Sequence, residues 1–249
     1  MTIADLTVVK VGGNEIDDSD WVTRFAASVA GAGRPTVVVH GGGKEVTDLQ
    51  RTLGAEPEWH EGLRVTTPEG LRAVSMVLSG LVNKRLASAL ISAGGRAAGI
   101  SGEDGATLQA IPARGGQMGL TGEIQDVDTS LLNLLVSHGI TPVVSPVSRG
   151  PEGGALNVNA DDAASAVAAA LQSERFLLVS NVPGVLADGA VLSEVTTVEL
   201  EKLIATGVAS GGMIPKLRAA MRAAGSGVRD VRIGDISMLA GKGGTRIIA

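Results

Sequence analysis

The chain has 249 residues, is 44% hydrophobic with 35 glycines and no cysteine, and carries a formal net charge of −5. That length holds one large α/β domain or two closely joined lobes, and the composition suits a buried sheet with many short turns rather than disorder. The lack of cysteine excludes a disulfide framework and thiolate chemistry, and the acidic balance without a long basic run argues against nucleic acid as a partner. No apolar run reaches the roughly 18 residues of a membrane helix, and the N-terminus enters a strand pattern directly, so a cytoplasmic protein is the default expectation.

In chain order, strand and helix patterns alternate. A strand over 6–11 ends in Gly12-Gly13. A helix near 20–30 follows, with Trp21, Phe25 and Val29 on one face and Gly31 and Gly33 closing it. Thr36-Val37-Val38-Val39 then runs into His40-Gly41-Gly42-Gly43-Lys44 and a helix to about Leu53, with Val46, Leu49 and Leu53 at helical spacing. The segment 56–67 shows no period. Thr67-Pro68 is a helix start, and that helix reaches about Ser92 with apolar residues on more than one stripe, a sign of burial on two sides by the fold or by another subunit.

A strand over 96–100 follows, then an antiparallel excursion of short strands at 107–111 and 120–125 with 114–119 at its tip. A helix over 129–138 and a strand over 141–145 restore the alternation, and 150–154 reads as loop. Asn157-Val158-Asn159-Ala160-Asp161-Asp162 opens an alanine-rich helix to Leu171. The strand 176–179 turns at Asn181-Val182-Pro183-Gly184, and Asp188-Gly189 is a hairpin signal. Thr196-Thr197-Val198-Glu199 offers a capping box for a helix to about Ala205. Another helix starts at Gly211-Gly212-Met213-Ile214-Pro215-Lys216, and strands near 228–233 and 245–248 close the chain. Repeated strand–helix units with apolar strands predict a mainly parallel sheet covered on both faces. If there are two lobes, the sheet continues through both, with a boundary near 146–156.

The chemistry begins at the two glycine turns. Glycine lets backbone approach a ligand closely, and free N–H groups at a helix start attract anions. One such turn is only a tight connection; two, one of them preceded by Lys10, suggest a phosphoryl site. Neither G-x-x-x-x-G-K-[ST] nor a strand-embedded G-x-G-x-x-G is present. His40, His60 and His138 lack ligand spacing, so no metal site is expected. His40 closes an apolar strand and suits a hydrogen-bonded structural role. Lysines and glycines remain, the parts of phosphoryl transfer by positioning and charge stabilisation.

Lys10-Val11-Gly12-Gly13, His40-Gly41-Gly42-Gly43, Gly62-Leu63-Arg64-Val65-Thr66, Asn157-Val158-Asn159-Ala160-Asp161 and Gly211-Gly212-Met213-Ile214-Pro215-Lys216 together resemble the amino-acid kinase family over nearly the whole chain. The resemblance is greatest to the branch that phosphorylates the side-chain carboxylate of N-acetyl-L-glutamate in arginine biosynthesis. It implies an α/β fold, a three-layer αβα sandwich, with an acyl-substrate lobe over about 1–150 and a nucleotide lobe over about 151–249.

The resemblance also implies roles. Lys10, Gly12 and Gly13 would contact the phosphoryl group in flight. Lys216 would bridge the outer phosphates, and Asp161 would hold both lysines. Gly42, Gly43, Arg64, Asn157 and Asn159 would bind the acceptor, Arg64 through its carboxylate and Asn157 through its acetylamino end. Asn181, Val182, Pro183, Gly184, Val185 and Leu186, with Val208, Ala209 and Ser210, would meet adenine and ribose. ATP would be co-substrate, with Mg²⁺ carried on the nucleotide. Many members of that branch have Asp where Asn181 stands, which bears on an ATP-side contact and not on the chemistry.

The residues alone leave plainer roles open: a solvated Lys10, a surface Arg64, helix capping by Asn157 and Asn159, and a dipole charge for Asp161 and Asp162. Two rival functions also stand. A kinase of carrier-linked aminoadipate or glutamate would suit the segments 81–86 and 180–184, although an acidic chain with Arg64 intact argues against a carrier. A non-catalytic sensing module would be expected to lack Lys10, Asp161 or Lys216. The helix at 68–92 predicts a homodimer. The resemblance links arginine-inhibited hexamers to an extra N-terminal helix, and a first strand at Leu6 predicts a dimer insensitive to arginine.

Overall fold

The computed structural model describes residues 3–60, 63–187, 189–209 and 211–249. Its centre is an eight-stranded sheet built from β1 (Thr7–Val11), β2 (Thr36–His40), β3 (Ala97–Ser101), β6 (Thr141–Ser145), β9 (Arg175–Val179), β10 (Glu194–Thr196), β11 (Asp230–Gly234) and β12 (Thr245–Ile248). The strand order is β10-β12-β11-β9-β1-β2-β6-β3, and every neighbouring pair is parallel except β11–β12. β1 is thus central, with the strands of residues 175–248 on one side of it and those of residues 36–145 on the other.

Helices cover both faces: α1 (Gly13–Ile16), α2 (Ser19–Gly31), α3 (Gly43–Thr52), α4 (Pro68–Ser92), α5 (Ser130–Ser137), α6 (Ala160–Ala170), α7 (Thr197–Ala205) and α8 (Met213–Gly225). Strand residues alternate between two cores. Val8, Val37, Phe176 and Leu178 join alanines of α6 and α8 on one face, whereas Val9, Val11, Val38 and Leu177 join Phe25 and Val29 of α2 and Val74, Val82 and Leu86 of α4 on the other. Small side chains let α6 and α8 approach closely enough for Ser165 Oγ to donate to Ala219 O at 3.0 Å. The capping box expected at Thr196 and Glu199 forms.

Several elements depart from expectation. The aperiodic segment holds a hairpin, Glu58–His60 against Leu63–Val65. α4 is one continuous helix, but Ser75–Val82 is wound as a π-helix between two α-helical parts. It is long and apolar enough, at 25 residues, to cross a membrane by length and composition, yet it packs on the sheet as a core helix. Asn157 and Val158 do not open a helix; they end β8 (Ala155–Val158). That strand closes a small barrel with β4 (Leu108–Pro112), β5 (Thr121–Val127) and β7 (Val147–Arg149). Asp188, one half of the expected hairpin turn, lies outside the described residues, and Leu186–Ala187 pairs with Ala190–Val191 around it.

Candidate phosphoryl-transfer site

All the loops of the site lie beyond the carboxyl ends of parallel strands, where open α/β sheets take their ligands. The pleat of β1 puts Lys10 on the same face as Val8, toward α6. There Asp161, in the first turn of α6, receives Lys10 Nζ at 2.8 Å on Oδ1 and Lys216 Nζ at 3.7 Å on Oδ2. Lys10 is 4% exposed and Asp161 5%, so this is a desolvated cluster of two cations on one anion. Burial works to raise the Asp161 pKa, but the lysine charges and hydrogen bonds outweigh it and hold the carboxyl below its ordinary value. Burial, then the neighbouring Lys10, lower the Lys216 ammonium against the pull of Asp161 and Glu15.

The two glycine turns abut. Gly41 N donates to Val11 O at 3.2 Å. A Cβ on Gly13 would come within 2.8 Å of Gly43 N and 3.0 Å of Gly42 Cα, so glycine is required there. Among the described residues, α1, α3 and α8 start from Gly12, Gly42 and Gly212 with no side-chain cap. The first N–H groups of a helix have no partner within it, so these starts leave donors for anions.

Two clefts meet at this point. One, of about 200 Å³, is lined by Gly42, Trp59, Arg64, Asn157, Asn159 and Asp161 among others. The second, of about 360 Å³, is lined by Glu15, Ser180, Asn181, Val182, Gly212 and Lys216 among others. Lys10, Gly13 and Gly43 line both.

In the first cleft Arg64 is not a mobile surface side chain. It is 7% exposed, donating from Nη1 to Gln50 Oε1 and from Nη2 to Thr47 Oγ1, both at 2.8 Å. Its guanidinium carbon lies 4.6 Å from the centre of the Trp59 ring. Burial lowers its pKa. Asn157 donates to Thr66 Oγ1 at 3.0 Å, and Thr121 Oγ1 ties that threonine to Arg64 O. Asn159 caps α6, its Oδ1 accepting from Asp161 N at 2.8 Å and Asp162 N at 3.2 Å. Asp162 turns away from the lysines to pair with Arg222.

The residues expected at the nucleotide divide. Asn181 and Val182 line the second cleft. Pro183 and Gly184 form the turn after it; Gly184 packs against Thr245 and Val191, and Val185 N donates to Thr245 Oγ1 at 2.8 Å. Leu186 sits exposed in the short hairpin. Val208 is exposed and Ala209 N donates to Leu203 O; Ser210 lies outside the described residues.

Trp59, Gln50, Thr47, Thr121 and Glu15 are at the site although sequence reasoning did not reach them. Only the Trp59 side chain, 57% exposed on a hairpin of polar residues, carried a signal in its chemistry. No group of three or more His, Asp or Glu among the described residues gathers to hold a metal ion. Asp161 is engaged by two lysines, so its carboxylate is committed to them rather than to a cation.

Two desolvated lysines on one aspartate, with glycine-led helix starts between two clefts, define a phosphoryl-transfer enzyme that works by charge and position. The model of the amino acid kinase family matches residues 5–235, and the chain belongs to that family. It is 46% identical over 242 residues to a protein of Roseiflexus sp. (strain RS-1) named acetylglutamate kinase, covering 96% of this chain and 92% of that one. A namesake from Chloroflexus aurantiacus (strain ATCC 29366 / DSM 635 / J-10-fl) is 44% identical, with 97% and 96% covered. Among solved structures, smu.665 from Streptococcus mutans UA159 superposes with a TM-score of 0.88 at 31% identity, covering 99% of this chain and 100% of that one.

Proposed function

We propose that the chain transfers the γ-phosphoryl group of ATP to the side-chain carboxylate of N-acetyl-L-glutamate, giving N-acetyl-L-glutamyl 5-phosphate for arginine biosynthesis. The observation that carries this reading is the meeting of two clefts at Lys10, Gly13 and Gly43. One cleft holds a buried, oriented guanidinium suited to a carboxylate, and the other holds Lys216 and uncapped helix starts suited to phosphates.

In this reading Arg64 grips the α-carboxylate of the acceptor. Asn157 meets its acetylamino end, Asn159 orients groups near the phosphates, and Gly42 and Gly43 flank the reacting carboxylate. That carboxylate is already a nucleophile, so no general base is required, and transfer is direct and in line. Lys10 follows the phosphoryl group from one cleft to the other, with Gly12 and Gly13 N–H groups beside it. Lys216 stays with the β- and γ-phosphates, and Asp161 keeps the two ammonium groups from separating. Residues 181–186 and 208–210 form the nucleoside side. Mg²⁺, held on ATP, supplies further charge neutralisation.

The acceptor side is built on residues up to about 150 and the nucleotide side on 151–249. In this reading the enzyme works in the cytoplasm. The exposed Met76, Leu81 and Ile91 of α4 support a homodimer through that helix.

A coupled ADP-release assay with N-acetyl-L-glutamate, glutamate, aspartate and carbamate offered separately tests the acceptor. Turnover with N-acetyl-L-glutamate is expected. Turnover of free glutamate in preference to it overturns the acetyl assignment, and no turnover with any of the four overturns the kinase reading.

A further inference from the structure

Three glycines in a row are the most flexible backbone a chain can offer, yet phosphoryl transfer by positioning needs glycines 41–43 fixed. We infer that Asn83 of α4 and His40 of β2 are positioning residues that hold this loop, the ring of His40 serving as a strut between the Asn83 amide and the Gly41 carbonyl. The inference rests on the phosphoryl-transfer reading above.

The contacts run without a gap from α4 to the loop. Asn83 and His40 are both fully buried. Asn83 Nδ2 donates to Val143 O at 2.8 Å and reaches Ile100 O and His40 Nε2, each at 3.1 Å. One side-chain amide thereby touches β2, β3 and β6. Asn83 Oδ1 accepts from Lys84 Nζ at 3.2 Å. On its other side, His40 Nδ1 lies 3.0 Å from Gly41 O. A carbonyl can only accept, so the proton is on Nδ1 and Nε2 presents a lone pair to Asn83. Both ring nitrogens are committed. Gly41 is therefore held at its carbonyl by His40 and at its N–H by Val11 O.

The helix is wound to make this reach. Asn83 directly follows the π-helical stretch Ser75–Val82, and π windings concentrate at functional sites. The same stretch places Leu78 and Val82 against Gly42, where a Cβ would come within 2.7 Å of Leu78 Cδ2. It also bonds Ser79 Oγ to Ser145 Oγ at 2.8 Å. Burial, with Lys10 and Lys84 as the facing charges, lowers the His40 pKa to about 4 despite the bond to Gly41, so the strut stays neutral in the working range.

The test reads the ring and the rate together. Side-chain nitrogen NMR of the unaltered protein should show His40 as the neutral Nδ1–H tautomer from neutral pH down to about 5. Asn83→Ala should leave the proton on Nδ1 but free the ring to move, broadening the His40 side-chain nitrogen signals, and lower kcat about ten- to a hundredfold, the scale of an ångström-sized misplacement, while KM for ATP stays within about twofold. Gly99→Ala gives a second route that leaves both residues in place, because its Cβ would overlap Asn83 Oδ1; the same loss of kcat is expected. A wild-type proton on Nε2 overturns the inference, as does an unchanged kcat in Asn83→Ala. Absence of turnover in the unaltered protein overturns instead the kinase reading on which the inference rests.

Discussion

Lys216 and Arg64 carry opposite expectations because the proposed reaction uses them at different moments. In the proposed reaction Lys216 faces phosphates whose charge shifts in the transition state, so Lys216→Ala should lower kcat by about 10²–10³ while N-acetyl-L-glutamate still binds, as steady-state rates and calorimetry would report. An unchanged kcat with a raised KM would reduce it to a binding group. Its lowered pKa also places the alkaline loss of kcat below the ordinary lysine value. In the same reading Arg64 holds a carboxylate whose charge is present throughout. Lysine lacks the planar fork that Gln50 and Thr47 orient, so Arg64→Lys should raise KM for the acceptor roughly ten- to a hundredfold and leave KM for ATP alone. Equal changes in both would mean a general folding defect. Lys10, Asp161 and Lys216 were legible as parts of family motifs. Gln50, Thr47 and Asn83 were not, because a buried amide or hydroxyl on a helix announces nothing until the strand or loop it reaches is known.

Elements were legible where periodicity was long enough to register. The βα alternation, the capping box at Thr196 and the antiparallel excursion formed as expected. The hairpin over Glu58–His60 and Leu63–Val65 escaped because a three-residue strand is too short to show an alternation, and Glu58–His60 is exposed throughout. β7 and β8, of three and four residues, offer little more. In α4 the second apolar stripe was visible, but its reading as double burial passed over the wider π winding of Ser75–Val82. The two glycine-led starts, α1 and α3, form one interlocked unit, and this is testable at Gly13. A Cβ there meets the backbone of Gly42 and Gly43, which cannot rotate out of the way. Gly13→Ala should cost roughly 1–3 kcal/mol of stability in denaturant titrations and lower kcat more than either KM. A variant with full activity would show the two loops to be independent.

At the scale of the whole molecule, β1 is both the middle of the sheet and the wall between two clefts, so folding and catalysis share the same core. That coupling has an acid signature. Between pH 6.5 and about 4 the unfolded chain binds a proton at His40 that the buried ring refuses, so stability rises with pH through this window and falls on acidification, by about 3 kcal/mol in all. Asp161, held below its ordinary pKa, extends the loss to lower pH. Denaturant titrations at pH 7.5 and 4.5 should show the His40 slope, and a flat stability across that window would contradict it. In the proposed mechanism the phosphoryl group crosses Lys10 directly from one cleft to the other. The most direct test is the stereochemical course of transfer from ATP made chiral at the γ-phosphorus with oxygen isotopes, with N-acetyl-L-glutamate as acceptor. Inversion at phosphorus is the predicted result; retention would require an intermediate carried on the protein and would contradict the account.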